Sequence, residues 1–463
     1  MFEQKTYTAR RKVIKEKVGK GIILLFGNEE SPMNYTDNAY HFRQDSTFLY
    51  YFGINRPGLV GLIDIENDNE IIFGDEYTIE DSVWMGPQTT IANQAEACGV
   101  ANVRPSIKLG STLDIAIKKG QHIHFLPLYR PENKIKLQEL IGMSPKAMAT
   151  KFSVDLVKVV ISQREFKTEE EIVEINKAVN VSVDMHVAAI KFARPGMTEA
   201  QVTAEVHKVA IEAGGNLSFP IIATINGQTL HNHYHGNIIN EGDLFLIDAG
   251  FENQMSYAGD LSSTIPISKT FSSEQKEIYQ LTLDAHQAAI DALGLGIPYK
   301  DAHKAACTTI FDGLKAMSFT KGDTSEAFEA GAHALFFPCG TGHMMGLDVH
   351  DMEDLGEVWV GYNGQPKSTQ FGLKSLRLAK PLEAGHVFTI EPGIYFIPEL
   401  IDLWRSQNKF NEFINWEKVD SYRNFGGIRN EEDFVMTDNG PRILGKPKPK
   451  TIEEIEAIRA EVD

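Results

Sequence analysis

The sequence predicts a mixed α/β (α+β) protein of two domains, divided near residue 160. Three observations predict it. The chain has 463 residues, more than one ordinary core encloses. Residues 1–160 alternate short apolar runs with helical stretches, the texture of an α/β layer. Residues 161–463 open with two capped helices and continue as a largely strand-rich pattern.

The elements follow in order. Gly21 and Gly27 bound Ile22-Ile23-Leu24-Leu25-Phe26, a run that reads as a buried strand. Leu59 to Ile63, Ile71 to Phe73 and His122 to Leu126 read the same way. Thr168-Glu169-Glu170-Glu171 has the spacing of a capping box, in which Thr168 accepts from the backbone and Glu171 reaches back. Ile172, Ile175, Val179, Val183 and Ile190 recur behind it at helical spacing. Pro195-Gly196 ends that helix, and Thr198 with Gln201 opens another. From Phe219 onward strands dominate, apart from a helical interlude between Glu274 and about Met317. The Lys- and Pro-alternating run from Gly445 to Lys450 reads as an extended spacer before a last helix, capped by Thr451 with Glu454.

Composition narrows the function classes. A net charge of −18 argues against a nucleic-acid partner, which would need clustered Lys and Arg. No apolar stretch reaches the ~20 residues of a membrane-spanning helix. The charged segment Met1 to Lys20 lacks the apolar centre of a secretory signal. Cys98, Cys307 and Cys339 are too scattered for a disulfide framework, so a cytoplasmic protein is expected.

Five potential metal ligands lie at the ends of apolar runs or inside glycine-rich stretches. Asp248 follows Leu244-Phe245-Leu246-Ile247. Asp260 comes twelve residues later, and a hairpin about Gln254 would set the two aspartates face to face, ~5 Å apart at Cβ. His343 lies in Gly340-Thr341-Gly342-His343, seven residues before His350. Glu391 ends Val387-Phe388-Thr389-Ile390 and precedes Pro392-Gly393, where a carboxylate without a partner would be costly to bury. In the strand-like stretch from Gly426 to Val435, Arg429, Glu431 and Asp433 share a face while Glu432 points away. Glu431 is the ligand expected there, oriented by Arg429. Four carboxylates and one imidazole suit hard or borderline divalent ions. Two such ions side by side generate a hydroxide at neutral pH and polarise a carbonyl, as peptide hydrolysis requires.

Read together, these motifs resemble the proline-specific metallopeptidases of the pita-bread (creatinase/aminopeptidase-like, M24) family. That family includes methionine aminopeptidase, Xaa-Pro aminopeptidase (aminopeptidase P) and Xaa-Pro dipeptidase (prolidase). Phe42 to Phe48 with Phe52-Gly53 is similar to the amino-terminal domain of the two proline-specific branches. The resemblance implies an aminopeptidase P-type domain over 1–160 and a pita-bread catalytic domain over 161–463. It implies two divalent metal ions, manganese foremost, with cobalt, iron or zinc as alternatives, held by Asp248, Asp260, His343, Glu391 and Glu431. His233, in His233-Tyr234, and His350, in Asp348-Val349-His350-Asp351, match histidines that hold substrate and steady the tetrahedral intermediate. Glu391 would also shuttle a proton. Arg377, fourteen residues before Glu391, matches an arginine near the substrate's free carboxylate in prolidases.

The sequence departs from the family pattern at two places. Cys339 stands where relatives commonly have histidine, and Phe219 where they have a tyrosine near the metals. His231, His233 and His235 would share a face on a strand, imitating a zinc-binding repeat. The segments Glu391 to Asp402, Tyr422 to Arg429 and Thr451 to Glu456 are more similar to prolidase than to aminopeptidase P. The reading is therefore hydrolysis of Xaa-Pro dipeptides by a hydroxide shared between two metals. The alternatives are an aminopeptidase acting on longer peptides and an inactive binding module, the latter at odds with an intact ligand set. By the same resemblance the chain forms a homodimer or higher homo-oligomer.

Overall fold

In the amino-terminal third, five short strands make one mixed sheet in the computed structural model, which describes residues 1–462. They are β1 (Ile22–Phe26), β2 (Val60–Asp64), β3 (Asn69–Phe73), β4 (Asn102–Arg104) and β5 (Ile123–His124), in the order β4-β3-β2-β1-β5. β1, β2 and β3 pair antiparallel, whereas the outer strands β4 and β5 are parallel to their neighbours. Ile22, Leu24 and Phe26 alternate onto one face and pack with Leu109, Leu113 and Leu137 from two helices. The intervening Ile23 and Leu25 are buried as well. A strand covered on both faces reads as a continuous apolar run, which is why β1 was legible. β4 has two exposed residues flanking the half-buried Val103 and carries no such signal.

By packing, the chain divides into two units. One is Met1–Arg164 together with Met352–Gly356; the other is Glu165–Asp351 with the chain from Glu357 onward. The second unit holds β6 (Asn216–Leu217), β7 (Ile222–Thr224), β8 (Leu244–Ala249), β9 (Phe251–Glu252), β10 (Leu261–Pro266), β11 (Val387–Ile390), β12 (Gly393–Tyr395), β13 (Gly427–Arg429), β14 (Glu432–Thr437) and β15 (Gly440–Ile443). β8 lies between β10 and β7, and β14 between β11 and β15.

Both capping boxes form, so helices Glu169–Phe192 and Glu199–Glu212 begin where Thr168 and Thr198 place them. The first buries Ile172, Ile175, Val179, Val183 and Ile190 and packs on β8, β9 and β10, while the second packs on β7. The helical interlude is two helices, Ser273–Asp291 and Tyr299–Ala316, packed together. The first of them covers β11, β12 and β13. Short helices at Thr324–Ala330, Pro398–Ser406 and Trp416–Ser421 interrupt what the sequence suggested was strand. The result is a set of small sheets flanked by helix pairs, the pita-bread arrangement.

The stretch Gly445 to Lys450 is no free spacer. Its backbone N–H groups at Gly445 and Lys446 donate to Asn176 and Asn180 on helix Glu169–Phe192. Polar side chains on that helix's outer face tie the run down, a tertiary contact invisible in its own composition.

Candidate metal centre

Two antiparallel pairings deliver the acidic groups. β8 and β10 form the first, but its register differs from the expected one. Asp248 stands opposite Ser262, not Asp260. The Asn253 side chain accepts from the N–H groups of Met255 and Tyr257, and with Ser256 at φ 63° this centres the turn on Met255. Two aligned residues are thereby offset by two, which keeps the same face, so Asp260 lies diagonal to Asp248. Gly250 permits the tight closure, since a Cβ there would meet Gly259 O at 1.9 Å.

The second pairing is one ladder in two pieces, β11 with β14 and β12 with β13. A further segment lies along β11. Thr389 N–H donates to His343 O at 3.0 Å and Met345 N–H to Val387 O at 3.0 Å. Gly342 makes this possible, because a Cβ there would meet Thr389 O at 2.2 Å.

His343 Nε2 lies 3.3 Å from Asp260 Oδ2 and 3.6 Å from Glu391 Oε1. Its Nδ1 is 3.0 Å from Met344 O. A carbonyl only accepts, so the neutral ring carries its proton on Nδ1 and turns the Nε2 lone pair toward the carboxylates. Burial holds this imidazole below its ordinary pKa. Ligand atoms of Asp260, His343 and Glu431 all lie within 4.8 Å of one another. Asp248 and Glu391 join them in lining one cavity.

The donor set fits divalent cations. Among the described residues, Glu431 Oε1 and Asp433 Oδ1 are buried with no hydrogen-bond partner, a costly state unless a positive charge faces them. Burial first, and the other carboxylates second, push Glu431 and Asp260 above the ordinary carboxylate range. Burial also raises Glu391 and Asp433. Oxygen donors with a single imidazole match hard or borderline ions rather than a thiolate-rich structural zinc site.

Arg429 serves the group differently from the expected way. It donates to Asp248 Oδ2 at 2.6 Å, Ser262 Oγ at 2.9 Å and Tyr395 OH at 3.0 Å. Ser262 Oγ then donates to Glu431 Oε2 at 2.8 Å. Arg429 thus fixes Asp248 directly and reaches Glu431 only through Ser262, because its guanidinium turns toward β8. Glu432 points away as expected, toward His286 and Lys450.

The remaining candidates line the same cavities. The His350 ring centroid is 4.3 Å from that of His343. Its loop is anchored by a buried ion pair, Lys167 Nζ to Asp351 Oδ2 at 2.7 Å. His233 lines the cavity with Asp260, His343, His350 and Phe219. The stretch carrying His231, His233 and His235 is a loop, not a strand, so the three share no strand face. Arg377 lines the adjoining cavity with Asp248, Glu391 and Cys339 and donates to Glu357 Oε1 at 2.7 Å. Burial and the neighbouring Glu391 push the Cys339 thiol up to about 12.

Lys448 carries no site signal in the sequence. It is buried and bonds Ser262 O and Asn430 Oδ1, behind the acidic cluster, and burial brings its pKa down to about 8. Only its place between two prolines, in a run too regular for an ordinary loop, could have signalled it. Asp433 shares the face of Glu431 and also has a part in the site. Its Oδ2 accepts the Asp260 N–H at 3.0 Å, which positions Asp260 between the two pairings.

Comparison with known proteins agrees over nearly the whole length. Residues 173–438 match the model of metallopeptidase family M24, and residues 7–124 that of the aminopeptidase P amino-terminal domain. Human Xaa-Pro dipeptidase is 30% identical over 453 residues, covering 96% of this chain and 89% of its own. The probable Xaa-Pro aminopeptidase pepP of Aspergillus niger is 30% identical over 470 residues, covering 97% of this chain and 96% of its own. The structure of Pseudomonas aeruginosa aminopeptidase PepP is similar at a TM-score of 0.83 and 27% identity, covering 99% of this chain and 98% of its own. The chain therefore belongs to metallopeptidase family M24 and carries an aminopeptidase P-type amino-terminal domain.

Proposed function

We propose that this protein hydrolyses the peptide bond preceding proline, with Xaa-Pro dipeptides as its favoured substrates. The observation that carries the reading is the meeting of Asp260, His343 and Glu431 within 4.8 Å, in a cavity also lined by Asp248 and Glu391. These five side chains would hold two divalent cations. When bound, such a pair lowers the pKa of water and polarises the scissile carbonyl. Manganese suits the oxygen-rich set, and cobalt, iron and zinc are its competitors.

The chain's own groups supply the rest. Glu391 accepts a proton from the attacking water and delivers it to the proline nitrogen as the C–N bond breaks. His350 and His233 donate hydrogen bonds to the substrate and to the charge that develops on the carbonyl oxygen. Proline makes a tertiary amide with no N–H, so a substrate of this kind cannot dock as an ordinary strand, and a recessed cavity replaces strand pairing. Arg377 offers a guanidinium to the substrate's free carboxylate.

Arg377 in the cavity beside Glu391 favours the dipeptidase. The likeness to aminopeptidase PepP over 99% of the chain favours the second reading, release of the first residue from longer peptides. Parallel measurement of kcat/KM on Ala-Pro and on Ala-Pro-Ala tests the choice. A tenfold or greater preference for Ala-Pro supports the dipeptidase, and the reverse preference supports the aminopeptidase. A homodimer and a cytoplasmic location complete the proposal. Light scattering tests the first. For the second, three unbridged cysteines suit a reducing compartment, and among the described residues no helix is long and apolar enough to cross a membrane.

A further inference from the structure

A second group of ligand-type side chains lies away from the carboxylates. His303 and Cys307 are one turn apart on helix Tyr299–Ala316, so they share a face. His333 comes from the 3₁₀ turn Ala332–Leu335. All three are buried, at 1%, 0% and 2% exposure, and their ligand atoms lie within 4.8 Å of one another.

The surroundings are apolar, yet the triad's polar atoms converge. Cys307 Sγ is 3.5 Å from His303 Nε2. His303 Nδ1 meets Thr341 Oγ1 at 2.8 Å, the kind of outer hydrogen bond that fixes a ligating imidazole's rotation and tautomer. His333 stacks on Phe328, with ring centroids 4.7 Å apart, and neither ring nitrogen has a hydrogen-bond partner among the described residues. Burial brings His303 down to about 3 and His333 to about 4, the Phe328 backbone opposing only part of the latter shift. Both imidazoles are therefore neutral, the state that ligates metal. Among the described residues neither His303 nor Cys307 hydrogen-bonds His333, although their ligand atoms lie together.

We propose that His303, Cys307 and His333 form a separate zinc site that takes a water as its fourth ligand. One thiolate and two imidazoles suit zinc and disfavour manganese. On binding, a sulfur–zinc bond replaces the Cys307 S–H bond and the proton leaves to solvent. The site braces Thr341, whose carbonyl accepts the Glu391 N–H at 2.7 Å, so it holds the segment beside the catalytic carboxylates without touching substrate. The inference does not depend on which peptides the enzyme cleaves.

The test uses the full chain expressed in cobalt-supplemented minimal medium, so that the ion is present as the protein folds. The carboxylate centre has no expected sulfur ligand. A near-ultraviolet sulfur-to-cobalt charge-transfer band therefore reports the triad alone. The expected result is that band at the intensity of one thiolate-bound cobalt per chain, beside any cobalt at the carboxylates, retained in Cys339→Ser, lost in Cys307→Ser and weakened in His333→Gln. Elemental analysis of protein made with zinc should give one zinc per chain fewer in Cys307→Ser than in the wild type, because the carboxylate centre keeps its own ions in both. Wild-type protein lacking the band, or a band that survives Cys307→Ser, overturns the proposal. The wild-type spectrum decides even if a variant fails to fold.

Discussion

Glu391 and Glu431 stand opposite each other in a ladder that opens at that pair. Ile390 pairs with Glu432 on one side and Gly393 with Arg429 on the other. At the gap the Glu391 N–H turns to Thr341 O at 2.7 Å and the Glu431 N–H to Ser262 O at 3.1 Å. At this pair each strand turns its N–H to a different neighbour, although Asn430 N–H still reaches Pro392 O at 3.3 Å, and three strand systems meet where two acidic residues are paired. Like charges directly opposite are destabilising in a sheet. Positive charge between them is what the arrangement requires.

Stability should depend on pH in opposite ways with and without metal. Burial raises the carboxyl pKa values of Asp260, Glu391 and Glu431 in the metal-free fold. A raised carboxyl stabilises the fold fully below its unfolded value and loses that contribution as pH climbs through the folded value. Chelator-treated protein should therefore lose stability steadily from about pH 4.5 toward neutrality, at about 1.4 kcal/mol for each unit that a group stays raised. Manganese at 100 times its Kd should restore about 2.7 kcal/mol at pH 7. Urea melts at several pH values, with and without metal, check both statements.

Asp260→Asn should abolish turnover with the fold intact. Its carboxylate lies 3.3 Å from His343 Nε2, and its backbone N–H, which holds Asp433, is unchanged by the substitution. The expected loss in kcat/KM exceeds the about 100-fold typical of removing an outer-shell partner. Kinetics on a Xaa-Pro dipeptide, with circular dichroism as the fold check, measure it; wild-type activity would refute the ligand assignment.

Ser262→Ala should weaken metal binding without removing a ligand. The hydroxyl joins Arg429 to Glu431, and its loss frees the Glu431 carboxylate to rotate. Metal affinity should fall about 10- to 100-fold. Isothermal titration with manganese reads the change directly.

Arg377→Met should separate the substrate classes. Loss of a hydrogen bond to a charged group costs about 1.5–3 kcal/mol, or roughly 10- to 100-fold in kcat/KM for a dipeptide. A longer peptide, whose carboxylate lies elsewhere, should lose little. Equal losses on both substrates would assign Arg377 to shaping the cavity through Glu357.

Lys448→Met should destabilise the fold by about 1–3 kcal/mol, the usual cost of leaving a buried hydrogen-bonding group without its partner. Its ammonium sits behind the acidic cluster and bonds Asn430. Urea denaturation checks the size of the effect.

Some of this was legible in the chain because local physics decides it. Thr168 and Thr198 cap helices through their own side chains, so a four-residue pattern suffices. Asp248 and Glu391 were visible because an ionisable group closing an apolar strand has no packing purpose. What stayed hidden depends on distant partners. The register of Asp260 follows from a turn set by the Asn253 side chain. The strand-like pairing of Thr341 to Met345 along β11 is masked by glycines that look like loop. Lys448 reads as spacer because its partners lie 186 and 18 residues away.

The central claim is that five side chains hold two cations that the reaction needs. The most direct test strips the protein with a chelator and titrates manganese back while Ala-Pro hydrolysis is followed. Loss of activity on stripping and full recovery at two manganese ions per chain is the predicted result. Undiminished hydrolysis by the stripped protein would contradict it.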